Sequence, residues 1–327
     1  MLAFDIRSIG IDISKDKIDL AFLLRDGSYQ TFTCKNNSKS ISKFVFSIPK
    51  FDGLVVMEST SYYHLLTAII FSEAGFKVSV LNPIFSSKYL RASVRKIKTD
   101  TVDSKKLAEI PLITTSLPIF KLSRKQILIR KKIKLIASFE KLIQKANSIL
   151  SDYDEACFSI SNQRNIDSQE MVDWVKELRK RIKNTEKSVI EEIKVLYHDE
   201  FQNLISVPGI SPFLAALILV YFDRNLLNAK KWNAFAGLDL RIRASGKFRG
   251  REALSKRGDP FLRKRIFLAG VSLIMNYPEF KQYYDYLKNE KDRHHVEACV
   301  ILAKKILRIA ISVLKNNRPF EIKTLSS

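Results

Sequence analysis

Four acidic residues in the first third of the chain have the types and positions of a metal-binding set. Asp12 lies near the end of the apolar segment IGIDIS, and Glu58 ends LVVME. Asp100 and Asp103 lie three residues apart at the start of a predicted helix, so both can face the same way. Mg²⁺ prefers oxygen ligands, and two such ions can clamp the attacking and leaving oxygens of a phosphoryl transfer. The set predicts metal-assisted chemistry at a phosphodiester.

Each of these acids also has a simpler explanation when it is taken alone. Asp12 could be a turn residue, and Asp100 could cap a helix with Asp103 as an acidic residue of its first turn. Glu58 is harder to explain in this way. It ends an apolar strand before small polar residues, which is where sites occur in α/β sheets. The joint pattern therefore favours a functional set.

Residues 237–265 form a glycine-rich segment that is dense in cations. From Arg241 to Arg265 it holds ten Lys or Arg and two acids. A solvated loop is the plainer alternative, but so much arginine favours contact with phosphate, which the glycines would let approach the backbone. The candidate nucleic-acid-binding residues are Arg241, Arg243, Lys247, Arg249, Arg251, Lys256 and Arg257.

Ser245 stands among these cations, directly before Gly246. A serine hydroxyl in such a field could attack a phosphodiester and hold it covalently. Ser-Gly pairs are also common in turns, so the residue types alone leave both interpretations open.

The charge of the whole chain indicates a polyanionic partner. The formal net charge is +22, divided as +5 over residues 1–110, +4 over 111–200 and +13 over 201–327. Nucleic acid is favoured over a membrane surface as that partner. Cys34, Cys157 and Cys299 form no CxxC pair and no zinc spacing, and the N-terminus has no signal-peptide pattern. We therefore expect reduced thiols in a cytoplasmic protein.

The elements that must position the four acids follow from the hydrophobic pattern. Alternation predicts two strands within 8–24 and a third over 29–34. Helices are predicted over 37–48, 61–76, 84–94 and 100–110, with strands at 54–58 and 77–82 between them. Three meandering strands followed by helix–strand alternation indicate a mixed sheet covered by helices. That is the order of a ribonuclease-H-like fold.

The rest of the chain is predicted to be mostly helical. Residues 111–122 contain two prolines and are interpreted as a linker. Residues 124–150 and 169–197 carry apolar residues at helical spacing and predict an antiparallel coiled-coil arm, with the segment DYDEACFSISNQRN as their connection. Dimerisation is the plainer role for this arm, and holding nucleic acid is the alternative.

Residues 202–222 carry no charge and are long enough for a membrane span. Pro208, Gly209 and Pro212 favour two short buried helices instead. This segment is similar to a helix-hairpin-helix, whose turn can offer N–H groups to phosphate. Its second half has no Lys or Arg, which favours a structural role with modest DNA contact.

The sequence resembles the IS110 family of transposases, relatives of the Piv DNA invertases. The matching segments extend over nearly the whole chain and include GIDISK, VVMEST, GFKVSVLNP, KIKTDTVDSKKLAE, LISVPGIS, FAGLDLRIRASGKFRG and LSKRGDPFLRK. The KTDxxD and SKRGDxxLR strings are quite specific together. The family usually has Ala after the last Asp of the set, where this chain has Ser104.

The resemblance implies an α/β plus α protein with a RuvC-like mixed-sheet domain over 1–115. A coiled-coil arm over 120–200 and a mostly helical transposase domain over 201–327 would follow. Asp12, Glu58, Asp100 and Asp103 would be the DEDD set that binds Mg²⁺, and Ser245 would be the nucleophile that forms a phosphoserine link to DNA. The resemblance also implies a homodimer that assembles to a tetramer, a structured guide RNA, and a serine that works beside another subunit's carboxylates.

Two rival functions stay open at this point. A hydrolytic nuclease of the Holliday-junction-resolvase type would use the carboxylates with a metal-activated water and would not need Ser245. A non-catalytic RNA- or DNA-binding protein would keep the fold without metal dependence.

Overall fold

The computed structural model describes residues 5–90, 100–114, 116–162, 169–222, 227–241, 244–245, 248–249 and 253–321. Their chain forms two compact units, Met1–Ile127 and Leu128–Ser327. The first is a mixed α/β unit and the second is mostly helical, as the hydrophobic pattern predicts.

The first unit is built on one five-stranded mixed sheet. Its strands are β1 (Ile6–Ile13), β2 (Lys17–Leu24), β3 (Tyr29–Lys35), β4 (Leu54–Glu58) and β5 (Lys77–Leu81), in the spatial order β3-β2-β1-β4-β5. The β1–β2 and β2–β3 pairs are antiparallel, whereas β1–β4 and β4–β5 are parallel. The predicted adjacency of the first and fourth strands is confirmed.

Helices cover both faces of this sheet. On one face, α1 (Ser38–Ser47) and α2 (His64–Glu73) pack Ile41, Val45 and Phe71 against alternate strand residues such as Ile9 and Ile11. The side chain of Asn37 caps α1 by accepting a hydrogen bond from the Ser40 N–H at 2.9 Å, which confirms one of two predicted caps. On the other face, α4 (Asp100–Ile113) packs Leu107 and Ile110 against Val56 and Leu81. α3 (Pro83–Leu90) packs beside α4.

The predicted linker begins later than the prolines suggest. α4 continues through Pro111 to Ile113, so the helix prediction that stopped at 110 is too short. The segment that follows is held on the sheet unit, because Leu117 is buried and the Phe120 N–H donates to the Val78 carbonyl at 2.7 Å. Part of the predicted linker therefore packs against the edge strand.

The second unit contains α5 (Arg124–Ser161, from Leu128 on), α6 (Gln169–Leu196), α7 (His198–Ile205), α8 (Pro212–Tyr221), α9 (Ala229–Ala236), α10 (Pro260–Asn276), α11 (Pro278–Asn289) and α12 (His295–Asn316). One apolar core joins α5 and α6 to α7–α12, through residues such as Ile133, Val189, Leu217, Ile266 and Ile306. α5 is longer than predicted, because residues 152–161 are helical although they were assigned to the connection.

The uncharged segment 202–222 forms the short α7 and α8 joined by a tight turn, as predicted. Gly209 adopts a φ of +81° in this turn, and a Cβ at Gly209 would lie 2.9 Å from the Ala269 carbonyl oxygen of α10. The Val207 N–H donates to the Leu204 carbonyl at the end of α7, and the Ile210 N–H donates to the Val207 carbonyl. The described helices include none that is both long and apolar enough to cross a membrane.

Candidate active site

Asp12 and Glu58 lie on the same face of neighbouring strands, at the edge where both strands end. The parallel register pairs Ile9 with Val55, Gly10 with Val56 and Ile11 with Met57, and its next step places Asp12 beside Glu58. Paired residues of parallel strands share a face, and neighbouring strands lie about 4.8 Å apart. Both side chains are half-buried. The strand ends therefore bring the first two predicted acids side by side.

α4 crosses this face at very short range, and small residues make the approach possible. The Ser8 hydroxyl donates to the Ala108 carbonyl at 2.6 Å in a buried contact. A Cβ on Gly10 would lie 2.0 Å from the Ser104 carbonyl oxygen, so only glycine fits at this crossing. Ser104 itself is fully buried. Ser104, a small residue where the IS110 family usually has Ala, is thus part of the contact between α4 and β1.

The direction of α4 follows from these contacts. Ser8 contacts Ala108, and Gly10 contacts Ser104. The helix therefore runs opposite to β1 across the sheet, and its first turn lies toward Asp12. That turn carries Asp103, which is half-buried, and begins at Asp100, whose side chain lies outside the described residues. The elements thus bring the backbones of all four predicted acids to one end of one sheet face.

The donor chemistry of this edge fits a hard divalent cation, since every candidate ligand is a carboxylate oxygen. Among the described side chains, no three acidic, histidine or cysteine groups already converge closely enough to hold a metal ion. The side chain of Asp100 lies outside the described residues and is not among these groups. The arrangement is a row of carboxylates on adjoining elements, and their oxygens are the ligands that such a cation prefers.

A fifth acid, Asp19, stands at the same edge and was not predicted. The antiparallel register pairs it directly with Asp12, so the two share the α4 face. Asp19 is only 8 % exposed. It accepts a hydrogen bond from the Thr33 hydroxyl at 2.6 Å, and Lys17 Nζ lies 3.0 Å from its other oxygen. The sequence feature that could have revealed Asp19 is an acid inside the apolar strand KIDLAFLL. Its side chain is on the opposite face of the strand from Ile18 and Leu20.

The predicted serine lies in a pair of short antiparallel ladders. β6 (Leu240–Arg241) pairs with β9 (Ala253–Leu254), and β7 (Ala244–Ser245) pairs with β8 (Phe248–Arg249). Ser245 is the last residue of β7 and pairs with Phe248. Arg241 and Arg249 also lie on the ladders, but the side chains of all three residues lie outside the described part of the chain, as do Arg243, Lys247 and Arg251 entirely.

The base of this basic segment is closed by contacts that the sequence did not reveal. The Ser255 hydroxyl donates to the Asp239 carboxylate, and the Ser255 N–H donates to the Asp239 carbonyl at 2.8 Å. A Cβ on Gly258 would lie 2.0 Å from the Phe235 carbonyl oxygen, so Gly258 serves close backbone packing here. Asp259 then caps α10 by accepting from the N–H groups of Phe261 and Leu262.

The cations beside the ladders fall into two groups. The side chains of Lys256 and Arg257 lie on exposed residues and remain available for an anionic partner. Lys264 and Arg265 instead pair with Glu140 of α5, and Arg265 also pairs with Glu186 of α6 at 2.7 Å. Some of the cations in this basic segment therefore form ion pairs within the protein.

Comparisons with known proteins find similarity to transposases and to a gene-inverting protein. A family model described as "Transposase", of the DEDD type of IS110 elements, matches residues 9–154, and one described as "Transposase IS116/IS110/IS902 family" matches residues 201–285. The chain is 22 % identical over 326 residues to the pilin gene-inverting protein of Moraxella lacunata, covering 96 % of this chain and 97 % of that protein. It is 26 % identical over 336 residues to the transposase for insertion sequence element IS1328 of Yersinia enterocolitica, covering 92 % and 95 %.

Proposed function

Because the chain belongs to the IS110 family of transposases, we propose that it cuts and rejoins DNA by Mg²⁺-assisted transesterification through Ser245. The first unit, with its mixed sheet and helices on both faces, would be a ribonuclease-H-like, RuvC-type domain. Asp12, Glu58, Asp100 and Asp103 would hold the metal ions, and the basic residues around Ser245 would hold the DNA backbone.

The observation that carries this proposal is the crossing of α4 over Gly10. It aligns the first turn of α4 with the ends of β1 and β4, so acids from three elements reach one sheet edge. A divalent ion bound there would neutralise the charge that develops on the phosphate. The carboxylates would orient the scissile phosphate through the ion, and the sheet would fix their spacing.

In the proposed covalent step, Ser245 exchanges one phosphoester bond for another. Its oxygen attacks the phosphorus, the bond from phosphorus to one deoxyribose oxygen breaks, and that oxygen leaves with a proton as a free strand end. In the second step a hydroxyl of another strand attacks the phosphoserine, and the serine oxygen departs and regains its proton. One phosphodiester is exchanged for another, so no net hydrolysis and no external energy source are needed.

The oligomeric state belongs to the same proposal. Leu128, Leu135, Leu142 and Ile149 recur every seven residues on α5, and they are 62 %, 52 %, 43 % and 56 % exposed. The buried stripe of α5, which includes Ile129, Ile133 and Ile136, lies on another face and packs into the unit's own core. A seven-residue apolar stripe left at the surface fits a coiled coil with a second copy. This supports a dimer, which would pair into a tetramer.

The charge distribution supports nucleic acid as the partner. The +13 excess over residues 201–327 exceeds what the ion pairs of α10 with α5 and α6 consume. We propose that a structured RNA joins the DNA on this surface and specifies the target, and that the protein acts in the cytoplasm. The sheet domain over 1–115, the arm over 120–200 and the transposase domain over 201–327 would be its working parts.

The decisive experiment tests for a covalent protein–DNA adduct. DNA carrying the element's ends is incubated with RNA transcribed from those ends and with Mg²⁺, and adducts are resolved on denaturing gels. We expect an adduct with the wild type and a loss of at least about 100-fold for Ser245→Ala and for Asp12→Asn. Ser255→Ala serves as the matched control, because it removes a nearby serine that already donates to Asp239.

The outcomes separate the rival functions. Cleavage by Ser245→Ala without an adduct would indicate a hydrolytic nuclease. Binding without any cleavage, independent of Mg²⁺, would indicate a non-catalytic protein. An adduct that persists in Ser245→Ala but is lost in Ser255→Ala would move the nucleophile to Ser255.

A further inference from the structure

We propose that Phe235 on α9 is a stacking platform for an unpaired base of the bound nucleic acid, with the lysines of α9 holding phosphates beside it. The inference rests on the proposed nucleic-acid function and names a binding mode for it. The platform lies outside the acidic edge of the sheet, and it includes none of the residues that the sequence predicted to bind nucleic acid.

The exposed face of α9 combines an aromatic ring with positive charge. Phe235 is 45 % exposed. Lys231 precedes it by one helical turn, and Lys230 precedes the exposed Ala234 in the same way, so the four side chains share one side of the helix. α9 contains no acidic residue. Surfaces that bind single strands have this composition, with an aromatic face for the base and cations for the backbone.

The ring of Phe235 is held in place by other aromatic side chains. Its centroid lies 5.4 Å from that of Phe222, in an edge contact, and 6.3 Å from that of Tyr221. Phe222 is buried and stacks on Trp232, with centroids 4.2 Å apart and the rings inclined by 20°. Because this cluster fixes the ring before a ligand arrives, a base that stacks on its exposed part orders few side chains.

The backbone at Phe235 packs directly against the basic segment. A Cβ on Gly258 would lie 2.0 Å from the Phe235 carbonyl oxygen. Gly237 ends α9 in the left-handed conformation, and a Cβ there would lie 2.6 Å from Arg263 Nη1 and 3.3 Å from the Arg257 backbone nitrogen. A strand that stacks on Phe235 would therefore pass close to the cations of the basic segment as well as to those of α9.

The charge around the ring favours a nucleic acid over a protein as its ligand. One ring among cations offers a protein little apolar area, whereas every base has a π face that can stack on it. Bases inside a duplex are stacked on each other, so their faces are covered. We therefore expect the platform to select unpaired nucleotides, such as those of an opened DNA strand or an RNA loop.

The test compares the affinities of the full-length protein for labelled oligothymidylate and for its duplex with oligoadenylate, by fluorescence anisotropy. We expect Phe235→Ala to weaken binding of the single strand about tenfold and to change duplex affinity by less than about twofold. The duplex measurement also shows that the variant is folded. Phe235→Trp keeps an aromatic face and should bind the single strand like the wild type.

Tryptophan fluorescence gives a readout that a merely structural role would not change. In Phe235→Trp, the emission of the new indole should be quenched when the single strand stacks on it. In the wild type, the emission comes from Trp174 and the buried Trp232 and should change less.

Two further variants make the comparison specific. Trp174→Ala removes a ring of similar exposure, 51 %, whose neighbours on the surface of α6 are Glu170 and Glu177, so its affinities should stay within about twofold of the wild type. Lys231→Gln removes a phosphate contact, which paired and unpaired strands share. It should weaken binding of both oligonucleotides and reduce the salt slope for the single strand by about 0.7.

The possible failures are distinct. If the wild type binds neither oligonucleotide, the proposed nucleic-acid function and the role of Phe235 are both wrong. If the wild type binds only the duplex, or if Phe235→Ala binds the single strand like the wild type, only the role of Phe235 is overturned. Equal losses for both oligonucleotides in Phe235→Ala, or an unquenched indole in Phe235→Trp, would also overturn it.

Discussion

At the residue scale, Arg265 shows how a cation of the basic segment can serve the fold. Its guanidinium contacts Glu140 and Glu186, and its centre lies 5.0 Å from the ring centroids of both Phe213 and Phe261. These partners come from α5, α6, α8 and α10. A single side chain therefore joins four helices of the second unit, and its two acids would repel each other without it.

Arg265→Met should destabilise the second unit in a pH-dependent way. Removal of one partner from a partly buried ion cluster costs about 2 kcal/mol, because Glu186 loses its pair with Arg265 and Glu140 is left with the more exposed Lys264. Burial raises the pKa of Glu186 above its usual value, and Arg265 opposes that rise. A raised carboxyl pKa contributes stability at acidic pH that is lost as the pH rises through the folded-state value. Without Arg265 this loss grows, so the deficit is larger at pH 8 than at pH 5.

Urea denaturation at the two pH values measures this deficit. Arg181→Met is the control, since Arg181 and its partner Glu177 are both largely exposed and such pairs contribute little. A deficit in Arg265→Met that does not change with pH would contradict the role of Glu186.

The residue scale also shows which site residues a sequence can reveal. The positions of Asp12 and Glu58 on neighbouring strands were predictable, because each lies at or next to the end of an apolar strand that the sequence pattern marks. Asp19 was not, because its burial depends on α4 and its contacts on Thr33 of the neighbouring strand. The Asp239–Ser255 pair escaped for the same reason, since sixteen residues separate partners that only the ladder register brings together.

At the element scale, the exposed stripe of α5 predicts how two copies meet. A double variant, Leu135→Glu and Leu142→Glu, places charges on two successive positions of the stripe. We expect it to dissociate the dimer without unfolding the chain, because neither side chain belongs to the buried core. Light scattering coupled to size-exclusion chromatography should change from twice the chain mass to the chain mass.

The control for this experiment is Lys134→Glu with Lys141→Glu. These exposed residues precede Leu135 and Leu142 and lie about 100° around the helix from them. The control adds charges of the same sign at the same height of the arm and should stay dimeric. A dimer that survives in the leucine variant would show that another surface joins the copies.

Element boundaries were predictable where the chain carries a stop signal and not elsewhere. The strand at 54–58 and the start of α6 agree with the pattern, whereas α5 extends eleven residues beyond the predicted end at 150. No glycine occurs between Gly75 and Gly209, and no proline between Pro118 and Pro208. Because nothing ends the helix chemically, the polar segment after Leu150 stays helical. Conversely, Pro111 was expected to stop α4, but the last turn tolerates it.

At the scale of the whole molecule, the cations behind the net charge of +22 have two different roles. The charge of residues 201–327 includes cations that pair with acids of other helices, such as Lys264 and Arg265, and exposed cations outside those pairs, such as Lys256 and Arg257. Composition counts both groups alike. A cation that already pairs with an acid of the protein is less available to neutralise a phosphate and release its counterion, so the fold decides how much of the charge acts on a nucleic acid.

The salt dependence of DNA binding separates these two groups. Each phosphate contact contributes about 0.9 to the slope of log K against log salt, so Lys256→Gln with Arg257→Gln should reduce the slope by about 2. Lys264→Gln removes a charge eight residues away that is paired with Glu140 3.1 Å distant, and it should leave the slope unchanged. Fluorescence anisotropy with a labelled duplex across a salt series measures both. A reduction of about 1 in Lys264→Gln would mean that DNA contacts this α10 cation as well, and that its ion pair with α5 opens when nucleic acid binds.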